Sequence, residues 1–110
     1  MALFITYASY SQSGVKGLLE KPSDRAEVIQ GLLSKVGAKL VALYMTTGPN
    51  DIVLVTEAAD GSDVVALGMA IAATGSISKI ETVRAWTSAD FKGIAEKAAS
   101  LTDAYTPPGN

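Results

Sequence analysis

Four short runs with a period of two, set between segments with a period near 3.6, constrain this chain more than its composition does. "LFITYASY" (Leu3–Tyr10), "AKLVALYM", "DIVLVTEA" and "SKIETVRAW" are rich in β-branched and aromatic residues, and polar or Gly/Pro punctuation lies beside them. Each predicts a strand. "SGVKGLLEK" predicts a short helix or turns, stopped by Pro22. Ser23 is expected to cap the helix "DRAEVIQGLLSKVG", whose Ile29, Leu32, Leu33 and Val36 recur at helical spacing before Gly37 ends it. Asp60, Ser62 and Asp63 open another helix, broken by Thr74-Gly75-Ser76, and Ser88 with Asp90 starts a last one. In that last helix Phe91, Ile94, Ala98, Leu101 and Tyr105 form one stripe.

The order is β-α-β-β-α-β plus a C-terminal helix. It predicts a ferredoxin-like α+β fold: an antiparallel sheet of strand order 4-1-3-2 with helices on one face. The other face has nothing in the chain to cover it. At 110 residues one domain is expected, spanning 1–105, with 106–110 ("TPPGN") as a frayed tail.

Composition narrows the chemistry. Nine Lys+Arg against eleven Asp+Glu give a net charge of −2, and the basic residues are scattered, which argues against a nucleic-acid groove. Cysteine and histidine are both absent. Their absence removes disulfides, thiolate catalysis, zinc–thiolate sites, the commonest general base and the usual haem ligand, so neither a metal nor a cofactor is expected. No basic n-region precedes the first strand and no run nears the ~20 apolar residues of a membrane span. The expectation is a cytoplasmic protein without membrane partners. Hydrophobic residues at 48% against 18% charged imply apolar surface covered by another subunit. The helix interior Val64–Ala73 carries no polar side-chain atom except the Met69 sulfur. Such a helix calls for cover on every side, and Gly68 allows close backbone approach.

Strand parity selects candidate site residues. "TTGPND" (Thr46–Asp51) has the residues a hairpin turn needs, and its last residue opens the third strand. Asp51, Val53, Val55 and Glu57 share one face of that strand; Thr82, Arg84 and Trp86 share one face of the fourth. With Val83 and Ala85 taken toward the helices, Arg84 points to the open face. With strands one and three taken as parallel, Asp51 and Arg84 fall at one sheet end, roughly 10 Å apart between backbones, and Glu57 falls at the other. The candidate pocket is therefore Asp51, Arg84, Trp86, Tyr7, Tyr44 and Thr82, with Thr6 as the alternative to Tyr7 by register. Taken singly, Arg84 also reads as an edge-strand guard, the aromatics as core or interface residues, and Lys16 and Arg25 as solvated.

Several of these segments together resemble the GYD-domain family of small, mostly bacterial proteins. The resemblance covers residues 3 to 92 and rests on "ITYASYSQSGVKGL", "KPSDR", "GAKLVALYMTTGPND" and "GSISKIETVRAWTSADF". Its most specific part is the T-x-R-A-aromatic run, here Thr82, Arg84, Ala85 and Trp86. Gly48 and Asp51 match the family's Gly-Tyr-Asp, while Asn50 stands in place of the tyrosine. Families of this size and strand order are similar to dimeric α/β-barrel proteins, and the resemblance implies that fold and a dimer. Two functions follow as expectations. One is a homo-oligomeric domain binding a small molecule between subunits. The other is a cofactor-independent oxygenase or isomerase acting on a phenolic or enolisable substrate. Arg84 would then hold an oxyanion, Asp51 would serve as acid or base, and Trp86, Tyr7 and Tyr44 would form aromatic walls.

Overall fold

A computed structural model describes residues 1–110. The elements are β1 (Ala2–Tyr10), α1 (Gln12–Glu20), α2 (Arg25–Ser34), β2 (Lys39–Met45), β3 (Ile52–Ala58), α3 (Gly61–Ala72), β4 (Ile77–Ala85) and α4 (Ser88–Leu101), closed by a 3₁₀ turn at Thr102–Ala104. The strands form one sheet ordered β2-β3-β1-β4, which is the expected order. Every neighbouring pair is antiparallel, β1 with β3 included. The parallel relation expected for strands one and three is therefore wrong. The helical crossover leaves β1 and β2 pointing the same way, and the hairpin then reverses β3 against both.

Alternation along β1 and β3 builds the core. Phe4, Thr6 and Ala8 face the helices opposite Thr56, Leu54 and Ile52, and all six are buried. From above, α2 contributes Ile29 and Leu33, one turn apart, and α3 contributes Val64 and Leu67. Leu33 is fully enclosed. Each helix begins on a side-chain cap. Ser11 caps α1, Asp24 accepts from Ala26 N at 3.0 Å, Asp60 from Ser62 N at 3.0 Å, and Thr87 from Asp90 N at 3.0 Å. The α2 cap is thus Asp24 and not Ser23, because a carboxylate directly before the first turn meets both the free N–H groups and the helix dipole. Ser23 instead accepts from the Arg25 guanidinium. Gly37, at φ +71°, ends α2 in the left-handed conformation, which lets Ala38 N donate to Leu33 O at 3.0 Å.

Two helical surfaces stay uncovered. α3 buries Val64 and Leu67 but exposes Val65 and Met69 on its outer side. α4 buries no residue at all, and its Phe91 is 52% exposed and Leu101 59%. A compact chain of this length has a radius of gyration of about 13 Å. This chain's is 17.9 Å, with a longest dimension of 61 Å. The excess is the mark of an arm, α4, that stands off the body.

Candidate functional site

The turn "TTGPND" is pinned from both sides. Thr46 N donates to Asp51 O at 2.8 Å, the Thr46 hydroxyl donates to Asn50 O at 2.7 Å, and Gly48 takes φ +95°. Asp51 then continues the sheet: its N–H donates to Ala8 O at 2.9 Å, and its Oδ2 accepts from Tyr10 N at 2.8 Å. Next to that bond, the β1–β4 register shifts between Ser9 and Tyr10. The Asp51 carboxylate thus holds the end of β1 where the ladder is irregular. Replacing it by Ala leaves the Tyr10 N–H without its partner, and a bond to a charged acceptor contributes about 1.5–3 kcal/mol. Asp51→Ala is expected to lose about 2 kcal/mol of unfolding free energy in a urea titration. A loss below about 0.5 kcal/mol would refute this anchoring role.

Arg84 lies at the other end of the sheet. Its register partner on β1 is Phe4, whereas Asp51 follows Ala8, so the two are separated by roughly 17 Å along the strand direction alone. Their faces differ as well. Phe4, Thr6 and Ala8 face the helices, and so do their β4 partners Arg84, Thr82 and Ile80. Val83, 39% exposed, is on the open side. The side of β4 is the reverse of that expected, because register with Phe4 puts Arg84 toward the helices, and Glu57, aligned with Leu3, lies at Arg84's end, not away from it. The guanidinium donates to Leu3 O at 3.1 Å and to Ala85 O, and it sits 4.4 Å from the Trp86 ring centroid and 5.6 Å from that of Phe4. It clasps the edge of β4 to the start of β1, with an aromatic on either side.

The six candidates therefore divide. Thr82, Arg84 and Trp86 belong to the helix-covered side, where the Thr82 and Thr6 hydroxyls bond each other at 2.9 Å. Tyr7 and Tyr44 lie on the open face, both aligned with Val53. Asp51 shares that face by alternation but spends its carboxylate on the backbone. The open face is apolar at its centre, where Val83, Ile5, Val55 and Ala42 form one row across four strands.

The helical side also carries a cleft that strand and helix periodicity do not reveal. α2 packs on β2 while α3 packs on β4 and β3, and between them a narrow cleft runs over β1. At one end the buried Tyr10 hydroxyl has no hydrogen-bond partner. A polar group so placed costs on the order of 1–3 kcal/mol. Gly68, set in an otherwise apolar helix, was the visible signal: a Cβ there would lie 3.3 Å from Ile80 Cδ1.

Comparison with known proteins places this geometry. The family model for the GYD domain matches residues 4–95. A curated Thermus thermophilus protein, named glutamine synthetase and cystathionine beta-lyase binding protein, is 34% identical over 91 residues, spanning 83% of this chain and 95% of that one. Among solved structures, TTHA0845 from Thermus thermophilus superposes with a TM-score of 0.51 at 15% identity, covering 80% of this chain and 96% of that one. At that identity the likeness concerns the fold.

Proposed function

Because the chain belongs to the GYD-domain family, we propose that it is a protein-binding module, self-associating through its open sheet face and presenting α4 to an enzyme partner. The observation that carries this is the arm. A helix with Phe91, Ile94 and Leu101 on one exposed stripe keeps an apolar face that residues 1–110 leave uncovered. Asp90, Lys92, Glu96 and Lys97 on the same helix supply the charged rim that such contacts carry. The name of the Thermus relative supports an enzyme such as glutamine synthetase or cystathionine beta-lyase as the partner.

The alternative reading, chemistry on an enolisable substrate, required a carboxylate and a guanidinium at one place. Asp51 and Arg84 occupy opposite ends and different faces, so that pairing gives it no support. Tyr7 and Tyr44 keep a role in our reading as aromatic contacts within the subunit interface, where a small molecule would also meet them.

Sedimentation velocity with the host's own glutamine synthetase and cystathionine beta-lyase tests the enzyme-binding part. The chain should co-sediment with at least one of them at about 10 µM. A Phe91→Asp/Ile94→Asp double variant with unchanged far-UV circular dichroism should lose at least roughly 30-fold in affinity, as expected when a central aromatic anchor is removed. Failure to bind either enzyme, or full binding by the double variant, rejects the proposal.

A further inference from the structure

The cleft over β1 has two compartments of opposite character. Its inner part is walled by Ile29, Leu67, Gly68 and Ile80 and floored by Thr6 and Ala8. The floor is only 4% and 3% exposed, so the space is narrow, and the Thr6 and Thr82 hydroxyls satisfy each other. Its outer end, at Tyr10, Arg25 and Ser76, is shared with a polar vestibule between α1 and α2 that adds Lys21. No carboxylate lines either compartment. The Arg25 side chain bonds only to the Ser23 hydroxyl, at 3.2 Å, and the buried Tyr10 hydroxyl bonds to nothing. One cation without a counter-charge and an unused phenol thus line the neck of an apolar slot, and Lys21 lines the vestibule beyond it.

We propose that this cleft binds a medium-chain aliphatic carboxylate. The chain of methylenes lies over β1 between α2 and α3, and the carboxylate meets the Tyr10 hydroxyl and the Arg25 guanidinium, with Lys21 beside them. A carboxylate accepts from both donors at once, which a neutral head group matches less well. Tyr10 and Thr6 are four residues apart on β1, roughly 13 Å, which is the length of about ten carbons. A narrow slot with a buried floor favours a single saturated chain over a ring.

Isothermal titration calorimetry with decanoate, below its micellar concentration, tests this on the full chain. One decanoate per chain is expected, with butanoate and 1-decanol each bound at least roughly tenfold more weakly. Tyr10→Phe removes one hydroxyl without changing the packing, and Arg25→Gln removes the charge. Each should weaken decanoate by about tenfold while leaving decanol unaffected. Gly68→Leu, which pushes a side chain toward Ile80, should abolish binding of both. If Gly68→Leu does not fold, Tyr10→Phe and Arg25→Gln still decide the matter. The proposal is overturned if decanol binds as well as decanoate, or if decanoate binds Arg25→Gln or a folded Gly68→Leu as tightly as the wild type. Heat that arises wholly from a change in oligomeric state, as when a second copy's arm occupies the cleft, overturns it too.

Discussion

Gly14→Ala is expected to be among the most damaging single-methyl additions in the chain, costing about 2–4 kcal/mol and lowering the melting temperature by roughly 10–25 °C. A Cβ on Gly14 would lie 2.2 Å from the carbonyl oxygen of Ser76 and 3.1 Å from Tyr10 Cδ1. The first neighbour is backbone, and it is not free to retreat. Ser76 O accepts from Ser11 N at 2.9 Å, the Ser11 hydroxyl donates to Gly75 O at 2.5 Å, and the Ser13 hydroxyl donates to Gly75 O at 3.1 Å. These bonds fasten the start of α1 to the loop between α3 and β4. Making room for a methyl group breaks some of them, each contributing about 1 kcal/mol, and disturbs Tyr10 at the neck of the cleft. Gly17→Ala serves as the control. It lies on the same helix with nothing within 4 Å of its would-be Cβ, so it should stabilise by about 0.5–1 kcal/mol. Differential scanning calorimetry separates the two, and equal melting temperatures would refute the account.

That contact shows where the sequence ceases to be readable. Element type and order follow from local periodicity, and all four strands and the helices around them sit where periodicity places them. The sheet order follows from the same pattern. Strand direction requires one more step, tracing the chain through the crossover and the hairpin, and taking β3 as parallel to β1 places Asp51 at Arg84's end of the sheet, where Glu57 stands instead. The face of Arg84 is likewise set by register rather than by local apolarity. Val83 and Ala85 look more apolar than Arg84, yet register with β1 puts Arg84 beside Phe4 on the helical side. Arg84 tolerates that side because it lies at the sheet edge, with its charge against two aromatic rings and a backbone carbonyl.

Asp51 does more than close a turn, and what it does is anchor a backbone group. Its partner, the Tyr10 N–H, is 41 positions away, and no local pattern announces a backbone group left over by an irregular ladder. The cleft was hidden for a similar reason. It exists because α2 and α3 settle over different strands, a property of tertiary packing. Arg25, read from its helix alone, is one more solvated cation; only with Tyr10 and Ser76 around it does it become the rim of a polar neck. The apolar arm, by contrast, was legible as a stripe in α4, though not as a helix standing away from its own domain.

Val55→Asp is expected to dissociate the assembly that we propose for the open face. Val55 lies on β3 with Ile5 and Ala42 as its lateral neighbours, and Val83 continues the row beyond Ile5. In an isolated subunit this position is half-buried on the open face, where an aspartate can still reach water, so the fold stays intact and the cost is mainly strand propensity. Across a sheet-to-sheet interface of ~1,000 Å² or more the same carboxylate is buried without a partner, at a cost of several kcal/mol. Two-fold symmetry places one such charge on each subunit, so the penalty is incurred twice. Taken as at least about 4 kcal/mol in total, it raises the dissociation constant by roughly a thousandfold or more. Sedimentation equilibrium from about 0.1 to 100 µM should show the wild type associated and Val55→Asp monomeric, with matching circular dichroism. Val65→Asp, on the exposed outer side of α3, distinguishes the alternative surface. If Val65→Asp separates the subunits and Val55→Asp does not, assembly runs through α3. A wild type that stays monomeric at the highest concentration rejects self-association through the open face.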